Sequence, residues 1–157
     1  MSTDTAQKIN MHEIYKPDDF PEWIDQDKLA HFLHESLKPY EDTVEDIKSA
    51  FDYAFSDAEG KGGYILIAEE DESKKPIGSL VMLKTGMSGY VPEHILLFVA
   101  VAPEGRGKGI GSKIINHAFD LCKPDPVKLH VKYDNPAKRL YERLGMTTKY
   151  AEMRLER

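Results

Sequence analysis

The sequence has few of the features that secreted and membrane-spanning proteins require. Its 157 residues include one cysteine, Cys122, which excludes an internal disulfide and favours a reducing compartment. No apolar run approaches the roughly 20 residues that span a bilayer, since the longest, Ile95–Ala102, has only the length of a strand. The N-terminus is polar and lacks the apolar core of a signal peptide. These absences predict a cytoplasmic protein that does not enter a membrane.

The charge is acidic overall but unevenly distributed. The formal net charge of −6 argues against nucleic acid as the main partner, because phosphate backbones attract basic surfaces. Many carboxylates lie in residues 1–60, whereas residues 101–149 carry most of the cationic clusters. An anionic ligand would therefore prefer the C-terminal half and a cationic ligand the N-terminal half. A solvated surface explains the same pattern without any ligand.

Hydrophobic periodicity predicts one α/β or α+β domain with a mixed sheet, of ordinary domain size and without repeats. Strand–helix–strand order in residues 94–133 predicts a right-handed parallel crossover. Helical stripes predict helices within 20–40, 43–55, 109–123 and 135–145. Alternating or continuous apolar runs predict strands within 8–16, 64–70, 77–85, 94–102, 127–133 and 146–156.

Residues 105–111, with the sequence Gly-Arg-Gly-Lys-Gly-Ile-Gly, form a loop between a predicted strand and a predicted helix. Glycines let backbone N–H groups at a helix N-terminus approach an anion without interference from Cβ atoms. The spacing excludes two common phosphate loops. The P-loop pattern fails because Gly109 follows Lys108 where a hydroxyl is required, and G-x-G-x-x-G fails from each starting glycine. The pattern R-x-x-G-x-G does fit, from Arg106 to Gly111.

Two segments together carry a resemblance to a known family. Residues 106–111 resemble the pyrophosphate-binding motif of the GNAT superfamily of N-acetyltransferases, and residues 133–146 resemble its second signature. Asn135 and Tyr141 match named positions of that signature, while Lys138 stands where alanine is common and Met146 where phenylalanine is common. The two segments follow each other in the order found in the family. A plain tight turn before a helix is the alternative explanation of the glycines.

The resemblance implies one N-acetyltransferase domain over residues 1–157, with a coenzyme-binding core at about 64–150 and acceptor-site helices at about 17–62. It implies a mixed central sheet of about six or seven strands flanked by about four helices, splayed between the strands at 94–102 and 127–133. The implied reaction transfers an acetyl group from acetyl-CoA directly to a primary amine of a small molecule or peptide. The family also leads us to expect no metal and allows a homodimer.

The implied coenzyme site combines the glycine loop with the strand before it. The loop glycines and their N–H groups would cradle the pyrophosphate, with added charge from Arg106 and Lys108, and the strand would pair with the pantetheine arm through its backbone. Asn135 would lie near that arm, although an asparagine before a proline is a helix N-cap whatever the function. The residues expected at the coenzyme are Val99, Ala100, Val101, Arg106, Gly107, Lys108, Gly109, Ile110, Gly111, Asn135 and Tyr141.

Tyr141 carries the expected chemistry. In the family a tyrosine at this place protonates the leaving thiolate, and such general acid help contributes about 10²–10⁴-fold. The alternative is a core aromatic, because Tyr141 shares a helix face with Ala137 and Leu144. Glu93 and His94, at the start of the strand before the loop, are candidates for the general base, and surface residues at a strand end are the alternative. Alignment of the reactants could also suffice without a dedicated base.

Several other interpretations stay open or are disfavoured. Cys122 is expected to fill the core rather than act as a nucleophile, and the histidines lack the spacing of metal ligands. A non-catalytic acyl-CoA-binding or regulatory domain, in which Tyr141 only packs, is the competing hypothesis. The failed spacings argue against a nucleotide-binding module. The carboxylates of residues 17–62 would suit a polyamine or another cationic amine, but a peptide N-terminus or a lysine would fit as well.

Overall fold

The central sheet has five strands within residues 8–157, the part of the chain that the computed structural model describes. Neighbours among the first four strands are antiparallel, whereas the fifth runs parallel to the fourth. The predicted parallel connection is thus present in a mixed sheet. In their order across the sheet, the strands are β1 (Ile9–Ile14), β2 (Gly63–Glu70), β3 (Lys75–Lys84), β4 (His94–Val101) and β5 (Val127–Leu129).

In the described part of the chain, four α-helices flank the sheet: α1 (Gln26–Leu37), α2 (Val44–Phe55), α3 (Ile110–Leu121) and α4 (Ala137–Arg143). The side chains of Asp25 and Thr43 cap α1 and α2 by accepting hydrogen bonds from first-turn N–H groups. Helices α1 and α2 bury an apolar cluster that includes Phe51 on one face of the sheet, and α3 buries a second cluster that includes Ile114. Within the described residues, no helix is long and apolar enough to cross a membrane.

The sheet has fewer strands than the six or seven expected. Strand β5 ends at Leu129 instead of residue 133, and the predicted strand within 146–156 has no regular secondary structure. Apolar residues do alternate with polar ones in this tail, but Met153 and Leu155 are exposed. Alternation produces a strand only where a neighbouring strand supplies backbone hydrogen-bond partners, and the tail has none within residues 8–157.

Strands β4 and β5 pair at one end only. His94–Leu96 align with Val127–Leu129, and within the described residues the pairing stops there, while β4 continues beside β3 to Val101. The β3–β4 register also shifts so that Leu97 is an extra residue, a β-bulge of the kind that bends a strand. A cleft therefore opens between the second half of β4 and the segment after β5. This is the splay that the family resemblance implies between these two strands.

Candidate active site

The second half of β4 presents backbone polar groups along one side of the cleft. The N–H of Ala102 donates to the carbonyl of Ile77 next to β3 at 2.8 Å. Successive residues of an antiparallel strand point their N–H and C=O groups alternately toward and away from the partner strand. Val101 and Val99 therefore point theirs into the cleft, whereas Ala100 points toward β3. Of the three strand residues expected at the coenzyme, Val99 and Val101 can pair with a ligand.

The glycine loop follows β4 and leads into α3. Gly107 and Gly109 have φ angles of 78° and 77°, a left-handed conformation that side chains disfavour. A Cβ atom at either position would meet nothing within 4 Å, so conformation rather than crowding requires these glycines. The first helical hydrogen bond runs from the N–H of Lys113 to the carbonyl of Gly109 at 3.2 Å. The N–H groups before Lys113 lie at an open helix N-terminus, which suits an anion.

Two neighbouring glycines lie in close packing contacts instead, which are tighter at Gly105 than at Gly111. A Cβ atom at Gly105 would lie 2.7 Å from Cγ1 of Ile77, and one at Gly111 would lie 3.3 Å from Cδ2 of Leu140 on α4. Gly111 thus lets α4 pack against the start of α3. The four glycines of the loop therefore divide into two that free the backbone and two that admit a neighbour.

The two cations of the loop have different surroundings. Arg106 donates from Nε to the carbonyl of Val101 at 3.1 Å and from Nη2 to the carbonyl of Ser36 at 2.7 Å. Its guanidinium thus ties the loop to β4 and to the end of α1. Lys108 is exposed, and nothing in the described part of the chain holds its ammonium group. Lys108 is therefore the cation that can turn toward a bound anion without breaking an existing contact.

Helix α4 begins on the other side of the cleft. The side-chain oxygen of Asn135 accepts a hydrogen bond from the N–H of Ala137 at 2.9 Å, which is the capping contact expected of this residue. The helix spans Ala137–Arg143, shorter than the predicted 135–145. Gly145 (φ 100°) ends it, with the N–H of Met146 bonded to the carbonyl of Tyr141 at 3.0 Å.

Tyr141 is partly buried and packs against the apolar cluster under α3. Burial raises the pKa of its phenol, so the hydroxyl stays protonated near neutral pH. Within residues 8–157 no acceptor binds this hydroxyl. The side chain therefore fills space like a core aromatic and still keeps a proton available for donation.

Glu93 and His94 stand at the opposite end of β4 from the glycine loop. At a rise of about 3.4 Å per residue, His94 is roughly 17 Å along the strand from Val99. Its side chain is 12% exposed, and its buried Nδ1 lies 3.9 Å from a carboxylate oxygen of Asp125, without a hydrogen-bond partner among residues 8–157. His94 also pairs with Val127 of β5, so it sits in the closed part of the sheet rather than in the cleft.

His94 gives the fold a pH dependence whose sign follows from its surroundings. Burial is the main effect on this histidine and lowers its pKa below 6.5. The unfolded chain therefore binds the proton more readily, and stability rises with pH. We expect the free energy of unfolding to fall as the pH drops below about 6.5, and to fall less in His94→Gln. Asp125 opposes the burial effect, so Asp125→Asn should steepen the fall.

Urea unfolding at a series of pH values measures these slopes. Near neutral pH the free energies of unfolding of His94→Gln and wild type should run parallel with a constant offset, because His94 is then neutral in both the folded and unfolded states. A His94→Gln profile parallel to that of wild type over the acidic range would contradict the assignment.

Cys122 lies in the apolar core. Cys122 is buried in the cluster under α3, and burial raises the pKa of its thiol, which suits a core residue. Across residues 8–157, no group of three or more His, Cys, Asp or Glu side chains is placed to hold a metal ion.

Two contacts near the cleft were not predicted from the sequence. They are the bond from Arg106 to Ser36 described above and a hydrogen bond from the hydroxyl of Tyr40 to the carbonyl of Asp134 at 3.1 Å. Both join residues far apart in the chain, and the helical pattern of residues 20–40 carries no local signal for either contact.

Comparisons with known proteins were made for the sequence and for the fold. The family model described as the acetyltransferase (GNAT) family matches residues 10–146. A 5-NmdU N-acetyltransferase of Pseudomonas phage PaMx11 is 39% identical over 57 residues, which are 36% of this chain and 41% of the phage protein. The chain thus matches less than half the length of that relative.

Two solved structures share the fold at low sequence identity. An aminoglycoside N-acetyltransferase, AAC(6')-Iy in complex with CoA, superposes with a TM-score of 0.69 at 10% identity, covering 99% of both chains. A ribosomal-protein-alanine N-acetyltransferase from Brucella melitensis biovar Abortus 2308 gives 0.65 at 14% identity, covering 95% of this chain and 99% of the other. At this identity the likeness concerns the fold alone.

Proposed function

The chain belongs to the GNAT family of acetyltransferases, and we propose that it transfers an acetyl group from acetyl-CoA to a primary amine of a small molecule or peptide. The observation that carries this proposal is the cleft itself. The second half of β4 pairs with β3 but, within the described residues, has no partner strand on its cleft side, and it leads directly into a left-handed glycine loop at an open helix N-terminus. A ligand with an extended amide-containing arm and a pyrophosphate fits both parts at once.

The coenzyme would lie along β4 with its pyrophosphate at the loop. The N–H groups around Gly107 and Gly109 donate to the phosphate oxygens, and Lys108 adds a mobile positive charge. The pantetheine arm pairs with the cleft-facing backbone groups of Val99 and Val101 as an added strand would. The charge of Arg106 stays near the phosphates while its donors hold the loop in place.

The reaction is a direct transfer through a tetrahedral intermediate. A neutral amine attacks the thioester carbonyl, a C–N bond forms, and the C–S bond breaks as the intermediate collapses. A backbone N–H on the cleft side of β4 stabilises the developing oxyanion. Tyr141 donates its proton to the departing thiolate, and the proton lost by the amine goes to water or to a base.

The base is the least specified part of this mechanism. The lowered pKa of His94 keeps its imidazole neutral and able to accept a proton near neutral pH, but it lies in the closed part of the sheet. Glu93 is the other candidate. Aligned reactants can supply several kcal/mol without any base.

We assign the acceptor side to α1, α2 and the loops around them, residues 17–62, and the coenzyme-binding core to residues 64–150 of one domain. The carboxylates of residues 17–62 suit a cationic amine such as a polyamine. A peptide N-terminus or a lysine side chain is the alternative acceptor, and the protein would work in the cytoplasm.

An acceptor screen tests this proposal. Thiol release from acetyl-CoA is measured with polyamines, amino acids, aminoglycosides and short peptides, and binding of acetyl-CoA, ATP and NAD is measured by calorimetry. We expect acetyl-CoA to bind and at least one amine class to raise thiol release well above hydrolysis. Binding without turnover on any acceptor would favour a non-catalytic acyl-CoA-binding domain. Tight ATP binding without acetyl-CoA binding would contradict the proposal altogether.

A further inference from the structure

The C-terminal end of α1 is hydrogen-bonded to both sides of the cleft. The carbonyl of Ser36 accepts from Nη2 of Arg106 at 2.7 Å, and the hydroxyl of Tyr40 donates to the carbonyl of Asp134 at 3.1 Å. Arg106 belongs to the loop that continues β4, whereas Asp134 lies in the segment after β5. One short stretch of chain thus contacts the two walls whose separation defines the cleft.

The contact with the β4 wall is anchored in the core. Ser36 is 6% exposed, so its carbonyl has little freedom to move. Arg106 also donates from Nε to the carbonyl of Val101 at 3.1 Å, one of the residues whose backbone faces the cleft. The guanidinium fork therefore joins α1, the end of β4 and the glycine loop through two hydrogen bonds.

The contact with the opposite wall reaches the start of α4. Asp134 precedes Asn135, whose N–H bonds to the carbonyl of Lys132 at 2.9 Å and whose side chain caps the N–H of Ala137. The Tyr40 bond therefore holds the turn from which α4 and Tyr141 extend. Leu140 and Tyr141 pack against the cluster under α3, but no residue of α4 is fully buried, so the hydrogen bond to its entry turn adds to a partly exposed contact.

The width of the cleft matters because a ligand arm that pairs like a strand needs a fixed distance to its neighbours. Hydrogen-bonded strands lie about 4.8 Å apart, and an error near 1 Å in the position of a reacting group can cost about a hundredfold in rate. Beyond Leu96, β4 and β5 no longer hold each other within the described residues. Some other element must set the distance between the two walls there.

We propose that residues 36–40 form a clamp that sets the width of the cleft, with Tyr40 as a positioning residue that acts through the entry turn of α4 on Tyr141. This α1 clamp rests on the proposed function, since it explains how the cleft is kept at the width of the coenzyme arm. It also gives Arg106 a geometric role in addition to its charge. The ends of α1 and of β4 thereby act as one unit.

Two conservative substitutions release the two arms of the α1 clamp separately. Tyr40→Phe removes one hydroxyl and keeps the ring. Arg106→Lys keeps the positive charge but loses the two guanidinium nitrogens that donate to separate carbonyls. Tyr15→Phe is the matched control, because the Tyr15 hydroxyl also makes one exposed hydrogen bond, to Glu13 in β1 at the far edge of the sheet. The readouts are the acetyl-CoA Kd by calorimetry, kcat and KM by thiol release, and hydrogen exchange of α4 amides without ligand.

We expect Tyr40→Phe to raise the acetyl-CoA Kd about three- to tenfold, the effect of losing one hydrogen bond, and to lower kcat as well. The α4 amides should exchange faster without ligand, and Tyr15→Phe should match wild type. The acetyl-CoA Kd of the double variant Tyr40→Phe/Arg106→Lys should be within about twofold of that of the worse single variant. A clamp released at one arm is already open, so releasing the second arm adds little.

Three results separate the clamp from the proposed function. The clamp would be overturned if Tyr40→Phe had the same α4 exchange rates and the same acetyl-CoA Kd as wild type. It would also be overturned if the increase in Kd of the double variant equalled the product of the two single increases, since this would mean two independent contacts. If no amine is acetylated by wild type, the proposed function fails. Hydrogen exchange of the α4 amides in the ligand-free protein would then still test the clamp. Unchanged protection of these amides in Tyr40→Phe would count against it.

Discussion

Tyr141→Phe should lower kcat by about 10²–10⁴-fold, the usual contribution of a general acid, with little change in the Kd of acetyl-CoA. The substitution removes only the hydroxyl, and within the described part of the chain no group accepts a hydrogen bond from it. It therefore leaves no buried polar atom unpaired, and the ring keeps its place against the cluster under α3. Stability should stay within about 0.5 kcal/mol of wild type, so the loss belongs to the chemical step.

The pH–rate profile and a matched control accompany the Tyr141→Phe measurement. Burial raises the pKa of Tyr141 above 10.0, so the wild-type profile should show no loss of this acid at neutral or mildly alkaline pH. Tyr133→Phe is the matched control, because Tyr133 lies near the same helix but is 94% exposed. A wild-type kcat in Tyr141→Phe would leave Tyr141 as a core aromatic and would favour a different proton donor or a non-catalytic domain.

Gly109→Ala should weaken acetyl-CoA binding by at least about tenfold, because a Cβ atom forces the loop out of its left-handed conformation, at a cost of roughly 1–2 kcal/mol. The same atom stands in the open space in front of the helix N-terminus, where an anion would approach the N–H groups. Calorimetric titration with acetyl-CoA measures this loss. The loss should shrink at high salt if part of it is electrostatic.

Gly89→Ala is a control with the same backbone strain. Gly89 has a φ of 71° against 77° for Gly109, and an added Cβ meets nothing within 4 Å at either position. Both variants should therefore lose similar thermal stability, while only Gly109→Ala loses affinity. Equal Kd values in the two variants would show that the loop does not bind the coenzyme and would remove the main support for the proposed function.

The sequence predicted the features that depend on short stretches of chain. The glycine loop, the cap at Asn135 and the stop at Gly145 are local, since each is required by the backbone conformation of a few neighbouring residues. The mixed sheet followed from periodicity and from the order of elements. These predictions needed no knowledge of which distant residues meet.

The features that depend on distant partners could not be predicted from the sequence in full. The tail at 146–156 has a strand pattern but lacks a pairing strand within the described residues. Arg106 was expected to serve the coenzyme through its charge, yet it bonds to carbonyls that include one on α1, and Tyr40 meets Asp134 across the cleft. His94 was assigned from its place at a strand start, and only the pairing with β5 shows that this end of β4 is closed.

The bulge at Leu97 also determines which residues of β4 share a face of the sheet. Leu96 belongs to the cluster under α3 and Phe98 to the cluster under α1 and α2, although positions two apart in a regular strand face the same side. Across this extra residue, odd- and even-numbered positions of β4 exchange the faces of the sheet to which they point. Leu96 and Phe98 align with the successive residues Met82 and Val81 of β3, so a chain without Leu97 would alternate regularly and keep both halves of β4 facing the same clusters. Leu97 is therefore the residue whose deletion β4 can best accommodate, and we expect its loss to straighten the strand where the cleft begins.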